Sequence, residues 1–267
     1  MILRSINEGL KFAFSLKIIL PYMALYLISF YILIGFFPNV INVISAGTGI
    51  YRLLFSLGIF LPILIIIGLI YLWIHGTVID QARYYPKRKP LIKSFEYSTS
   101  RYLTMFCTLI LFVIINGIIS SPPYIGLFLS FILGLVLFFL FQAVIVDKKG
   151  CIESFKKSFN TFIRYPLETF VTWLLVLIIS FIIVGIFASP LMFFVLGKLV
   201  SMPKLPTPVG VEPQTIIGNL LPAISDAVSS PYFIIYLLIV CFGLAYTDAF
   251  QIGTKTRLYI NTRKIEI

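Results

Sequence analysis

Charge is scarce in this chain of 267 residues: only 12% of it is Asp, Glu, Lys or Arg, while 60% is hydrophobic and 16% aromatic. Soluble domains carry about twice that charged fraction, so a water-facing shell around a single core is excluded. Histidine is reduced to one residue, His75, which removes paired-histidine metal sites and multi-histidine relays. Beside Trp73 it reads as an interface residue. The three cysteines, Cys107, Cys151 and Cys241, are odd in number and far apart, and they form no disulfide framework or zinc motif. Ten carboxylates are scattered along the chain, so no paired-carboxylate hydrolase site can be nominated. No Gly-x-x-x-x-Gly-Lys-Ser/Thr loop and no Gly-x-Ser-x-Gly elbow occurs, and zinc-protease chemistry lacks its second histidine. These absences lead to the expectation of a protein that is not an enzyme and uses no cofactor or metal.

What is present is a series of uninterrupted apolar stretches, each near the ~20 residues with which a helix crosses a bilayer. The first runs from Ile18 to Phe37 and follows Arg4, Lys11 and Lys17. It is too long for a signal-peptide core and lacks a small-residue cleavage site, so it reads as a stable span. The second covers Leu53 to Val78 around Pro62. The third, Leu103 to Ile119, and the fourth, Tyr124 to Val146, are separated only by Ser120, Ser121, Pro122 and Pro123, which makes them an antiparallel hairpin. The fifth begins near Phe170 and continues to Val200, with a break expected at Pro190. The sixth runs from Tyr232 to Phe250. The lipid bilayer is therefore the expected partner of most of the surface.

The formal net charge of +11 is distributed by side. The N-terminal segment, the Arg83 to Arg101 loop, the Lys148 to Arg164 loop and the tail hold eighteen Lys and Arg, against three at Arg52, Lys198 and Lys204. Retention of basic loops in the cytoplasm places both termini there, in a cell membrane crossed six times. The run Arg83-Tyr84-Tyr85-Pro86-Lys87-Arg88-Lys89-Pro90 mixes bases and aromatics, yet it is flanked by spans. Attraction to anionic headgroups, worth about 1 kcal/mol per basic residue near the surface, explains it without nucleic acid. Between the fifth and sixth spans, Pro203, Pro206, Pro208 and Pro213 keep the chain extended. Ile216, Ile217, Leu220, Leu221, Ile224, Ala227 and Val228 then recur at helical spacing, so segment 201–230 reads as a lid or packed plug.

Two loops match each other. Ile92-Lys93-Ser94-Phe95-Glu96-Tyr97-Ser98 and Ile152-Glu153-Ser154-Phe155-Lys156-Lys157-Ser158 share Ile, Ser, Phe and Ser, and each leads into a membrane crossing. In the second copy Ile152, Phe155, Phe159, Phe162 and Ile163 fall on one helical face, opposite Glu153, Lys156, Lys157, Asn160 and Arg164, the pattern of a basic interfacial helix. Leu3, Ile6, Leu10, Ala13 and Phe14 repeat the spacing at the N-terminus. Aligning Glu8 with Glu153 and Pro21 with Pro166 gives another register, and both remain open. The chain thus reads as one membrane domain of three repeated units, 1–80, 81–147 and 148–267, each a cytoplasmic amphipathic helix followed by two crossings. Asp80, Asp147 and Asp248 each close the second crossing of a unit. They read as interface carboxylates, with Arg83, with Lys148 and Lys149, and with Lys255 and Arg257 as neighbours; the functional alternative is a cation or proton site. Lys87, Arg88, Lys89, Lys156, Lys157 and Arg164 are the candidate contacts to anionic lipid headgroups.

The Val78-Ile79-Asp80 ending, the Ile-x-Ser-Phe-x-x-Ser segments and the basic tail with Tyr259 resemble the six-helix prokaryotic membrane proteins related to the membrane domain of glycerophosphoryl diester phosphodiesterases. The resemblance implies an all-α, polytopic membrane bundle. In that family any enzyme is a separate appended domain, so no catalysis is implied for this chain. Two functions follow as expectations: a non-enzymatic, lipid-interacting scaffold or accessory component for an unidentified protein partner, or a small transporter or lipid translocator.

Overall fold

Backbone that lies in hydrocarbon must satisfy its own N–H and C=O groups, and a helix does so within one segment. The computed structural model describes residues 1–45, 49–87, 89–200, 228 and 230–264, and among these every regular element is helical. In chain order they are α1 (Ile2–Ala13), α2 (Leu16–Ser45), α3 (Gly49–Tyr84), α4 (Leu91–Ser120), α5 (Gly126–Val136), α6 (Leu140–Val146), α7 (Cys151–Arg164), α8 (Pro166–Val200) and α9 (Pro231–Lys264). Among the described residues six stretches are long and apolar enough to cross a membrane: Leu16–Phe36, Phe60–Tyr84, Leu91–Ser120, Gly126–Val146, Pro166–Lys198 and Pro231–Arg263. The chain is a multi-pass, membrane-embedded protein. The segment expected to form an exterior helix, with Ile216 to Ala227, and the candidate contact Arg88 lie outside the described residues.

Two compact units emerge. One comprises Met23–Gly68 and Ile183–Ala245. Its core is Phe233, Leu237 and Cys241, packed by Tyr26, Phe30, Leu191 and Phe194. The expected break at Pro190 does not occur, because α8 runs unbroken through it. Proline removes the N–H that would bond the carbonyl of residue 186, and the Ser189 hydroxyl donates to that Ile186 carbonyl at 2.9 Å instead. Pro62 likewise sits inside α3.

The other unit comprises Met1–Tyr22, Leu69–Ile182 and Tyr246–Ile267. Every buried polar side chain described belongs to it, most of them Ser and Thr. Where lipid is as apolar as leucine, burial of hydrocarbon does not drive helices together; close approach and hydrogen bonding do. Gly76 of α3 illustrates this, since a Cβ there would lie 2.5 Å from the Ser98 hydroxyl of α4. Ser98 itself donates to the Trp73 carbonyl at 2.9 Å. The hairpin of α4 and α5 is as tight as its sequence predicts. The Gly126 N–H reaches the Pro122 carbonyl at 2.9 Å, and a Cβ on Gly126 would meet the Ser120 carbonyl oxygen at 2.2 Å.

The fourth crossing is divided between α5 and α6 by Leu137, Phe138 and Phe139. Such a break leaves backbone groups without helical partners. Ser158 of α7 supplies them: its hydroxyl accepts from the Phe139 N–H at 3.2 Å and donates to the Val136 carbonyl at 3.2 Å. The buried side of α7 is thus Ser154, Ser158 and Thr161, while Ile152 is 67% exposed. The matching stretch of α4 follows suit, with Ser94 and Ser98 buried and Ile92 72% exposed. That stretch is not a separate helix, because α4 continues without interruption into the crossing. The basic tail is likewise helical, forming the last turns of α9.

Candidate functional site

The short Phe14-Ser15 link between α1 and α2 turns the chain back beside the end of α3 and the start of α4. The Ser15 N–H donates to the Phe12 carbonyl at 3.1 Å, and the Ile18 N–H to Ser15 at 2.9 Å. A cavity of about 580 Å³ opens there, lined by Lys11, Lys17, Lys87 and Lys89 together with Phe12, Phe14, Leu16, Tyr85 and Leu91. Three candidate span helices begin or end at its walls.

One wall is held by long-range bonds. A Cβ on Gly9 would lie 2.1 Å from the Thr254 hydroxyl, and one on Gly253 2.7 Å from the Phe12 ring, so α1 and α9 meet through glycines. Phe12 packs edge-on against Tyr85 at 5.7 Å, and the Arg257 guanidinium lies 5.9 Å from the same tyrosine ring. Arg257 Nε donates to Glu8 at 2.5 Å and Arg4 Nε to its other oxygen at 2.9 Å. Burial pushes the Glu8 carboxyl up, but the bonds and charges of Arg257 and Arg4 outweigh it and hold the group below the usual carboxylate range.

The opposite wall is set by Asp80. Its Oδ2 accepts from Lys89 Nζ at 2.5 Å and from the Ser94 hydroxyl at 2.7 Å. Gln81 Nε2 donates to the Lys89 carbonyl at 3.2 Å and to Ser94 at 2.8 Å. Lys89 also lies 4.8 Å from the Tyr84 ring and 5.2 Å from that of Tyr97. The partner of Asp80 is thus Lys89, not the expected Arg83, which lies over Tyr84. Among the described residues, Lys11, Lys17 and Lys87 have no carboxylate within ion-pairing distance, and all three are exposed. The cavity is strongly electropositive over an apolar floor.

The other carboxylates take distant partners. Asp147, expected beside Lys148 and Lys149, accepts from the Tyr259 hydroxyl at 2.6 Å and pairs with Arg263 at 2.6 Å. Asp248 accepts from the Tyr71 hydroxyl at 3.2 Å. Tyr71 packs 5.9 Å from His75, whose ring meets Phe141 at 5.5 Å. Trp73 is exposed and donates to Thr99 at 2.9 Å, whereas His75 Nδ1 is buried and has no hydrogen-bond partner among the described residues. Lys255 lies 4.9 Å from the Phe138 ring. A polar layer of Tyr71, His75, Asp248 and Lys255 therefore interrupts apolar span residues of this unit.

Of the basic residues expected to meet lipid, Lys87 and Lys89 line the cavity, and Lys156, Lys157 and Arg164 stand on α7. Lys11 and Lys17 also line it, although in sequence they read only as charges flanking the first span. Their six-residue spacing around a Phe-Ser-Leu turn was the available signal. No group of three or more His, Cys, Asp or Glu among the described residues is placed to hold a metal ion. Comparison with family models, with curated proteins and with solved structures finds no match to this chain.

Proposed function

We propose that this protein is a non-enzymatic membrane component that seats anionic lipid headgroups on its basic face and acts as a scaffold or accessory to a protein partner. The observation that carries the reading is the cavity beside α1. Four lysines line it, and Asp80 neutralises only Lys89. Each basic residue held near an anionic surface contributes about 1 kcal/mol, and an apolar floor suits the glycerol region beneath a headgroup. The bias of Lys and Arg places this face, and both termini, in the cytoplasm. The test is retention of lipid through purification. A Lys11→Gln, Lys17→Gln, Lys87→Gln protein should retain several-fold less anionic phospholipid than wild type, with zwitterionic lipid unchanged. Equal retention would retire the reading.

The three-unit architecture belongs to the same proposal. Leu3 is 78% exposed while Ser5 and Gly9 are buried in α1. This burial order parallels Ile92, Ser94 and Ser98, and Ile152, Ser154 and Ser158, and it favours the register that aligns Ser5 with Ser154. Each amphipathic helix then packs its small residues inward and leaves an aliphatic residue to the leaflet. The likeness to the membrane domain of the phosphodiesterase-related proteins fits this reading and adds no catalysis.

A small transporter or lipid translocator is the second reading, favoured by the layer of Tyr71, His75, Asp248 and Lys255. Ionisable groups inside a membrane are costly and mark functional sites. Proteoliposomes that move neither lipid nor solute above background, whether His75 is intact or changed to Ala, exclude it.

A further inference from the structure

The charge balance at the cavity narrows the lipid it takes. Four lysines line one space, and among the described residues the only carboxylate bonded to any of them is Asp80, which is committed to Lys89 and Ser94. Lys11, Lys17 and Lys87 remain. A phosphate diester carries one negative charge and leaves two of these ammonium groups without a counter-charge. A phosphate monoester carries about −1.5 to −2 at neutral pH and offers three terminal oxygens as acceptors, so it matches three ammonium donors. The mouth of the cavity is also not bounded by water-facing residues alone. Phe14 is 73% exposed, Leu16 64%, and Leu20, one turn further along α2, 58%. These residues form an apolar strip from the cavity rim down the first crossing, the place for an acyl chain whose phosphate is held above it.

We propose that the cavity is the headgroup seat of a membrane lipid ending in a phosphate monoester, with Lys11, Lys17 and Lys87 on the phosphate and Phe14, Leu16 and Leu20 along the chain. The proposal rests on the headgroup reading above and sharpens its ligand class. Charge complementarity selects the phosphate, and the apolar strip selects the lipid over a soluble phosphate ester.

Native mass spectrometry of the full chain in detergent tests it, with phosphatidic acid and phosphatidylglycerol of identical acyl chains offered at equal concentration, and glycerol 3-phosphate as soluble competitor. Phosphatidic acid should occupy the protein at least several-fold more than phosphatidylglycerol. That preference should vanish in the Lys11→Gln, Lys17→Gln, Lys87→Gln protein. Changing Phe14 and Leu20 to Ser should weaken phosphatidic acid without creating binding of glycerol 3-phosphate. Equal occupancy by the two lipids, with both reduced in the lysine variant, would overturn the monoester assignment and leave the general headgroup reading standing. Effective competition by glycerol 3-phosphate, with no effect of the Phe14 and Leu20 changes, would overturn the lipid in favour of a soluble ester. Absence of both lipids from the wild type would overturn the headgroup reading itself.

Discussion

Arg257 in the last helix donates from Nε to Glu8 in the first at 2.5 Å, across 249 residues of chain. The same guanidinium lies over Tyr85, so the bond that joins the two ends of the chain also fixes one wall of the basic cavity. Arginine serves both tasks because its planar fork binds a carboxylate and stacks on an aromatic ring, which lysine does not reproduce. Arg257→Lys is therefore expected to keep the fold but loosen Tyr85 and weaken anionic lipid retention several-fold. Wild-type retention in that variant would separate the latch from the cavity.

The Glu8 carboxyl lies below its ordinary value because Arg257 and Arg4 outweigh its burial. A group shifted in this direction contributes stability that is present above the unfolded carboxylate pKa of about 4.3 and is lost as pH falls through the lower folded value. The thermal midpoint of the wild type in detergent should therefore drop below about pH 4.3. Glu8→Gln should start lower at neutral pH and show a smaller acid-induced drop. Parallel acid profiles would contradict this account of the latch.

Ser158 closes the break in the fourth crossing by bonding both Phe139 and Val136. Ser158→Ala leaves a buried N–H and a carbonyl without partners, a loss of about 1–3 kcal/mol. A lowered unfolding midpoint checks it, and Ser158→Thr, which keeps the hydroxyl, should recover part of the loss. Ser189→Ala, which removes an exposed bond inside α8, should cost less than Ser158→Ala.

The crossings were legible in the sequence because lipid as solvent demands apolar residues on every face, and nothing else in a chain of this length produces six such stretches. The α4–α5 hairpin was legible for the same reason as any tight turn: four residues leave no other geometry. The ion pairs were not. Asp147 meets Tyr259 from 112 residues away, a separation that local reading does not bridge, so that reading assigned it the adjacent lysines. The repeated Ile-x-Ser-Phe-x-x-Ser is visible as a pattern, but the pattern alone assigns its serines no role. Their role appears only once Ser158 is seen bonding a broken crossing and Ser94 a buried carboxylate.

Asp147 and its partners make a further prediction. Tyr259→Phe removes one bond to a buried carboxylate, a loss of about 1–3 kcal/mol. Asp147→Asn should weaken the pairing with Arg263 as well, and the double variant Asp147→Asn, Tyr259→Phe should cost less than the sum of the two single changes. Strict additivity, read from unfolding midpoints, would mean that the two side chains do not interact.

The central claim, that the cavity beside α1 seats anionic lipid headgroups, is tested most directly by photo-crosslinking in a bilayer of mixed charge. A photoreactive residue is placed at Leu16, on the cavity, and separately at Leu103, which is 79% exposed on α4 and away from the cavity lining. The account predicts adducts at position 16 enriched several-fold in anionic lipid over the bulk composition, and adducts at position 103 that follow the bulk. The same bulk composition at both positions would contradict it.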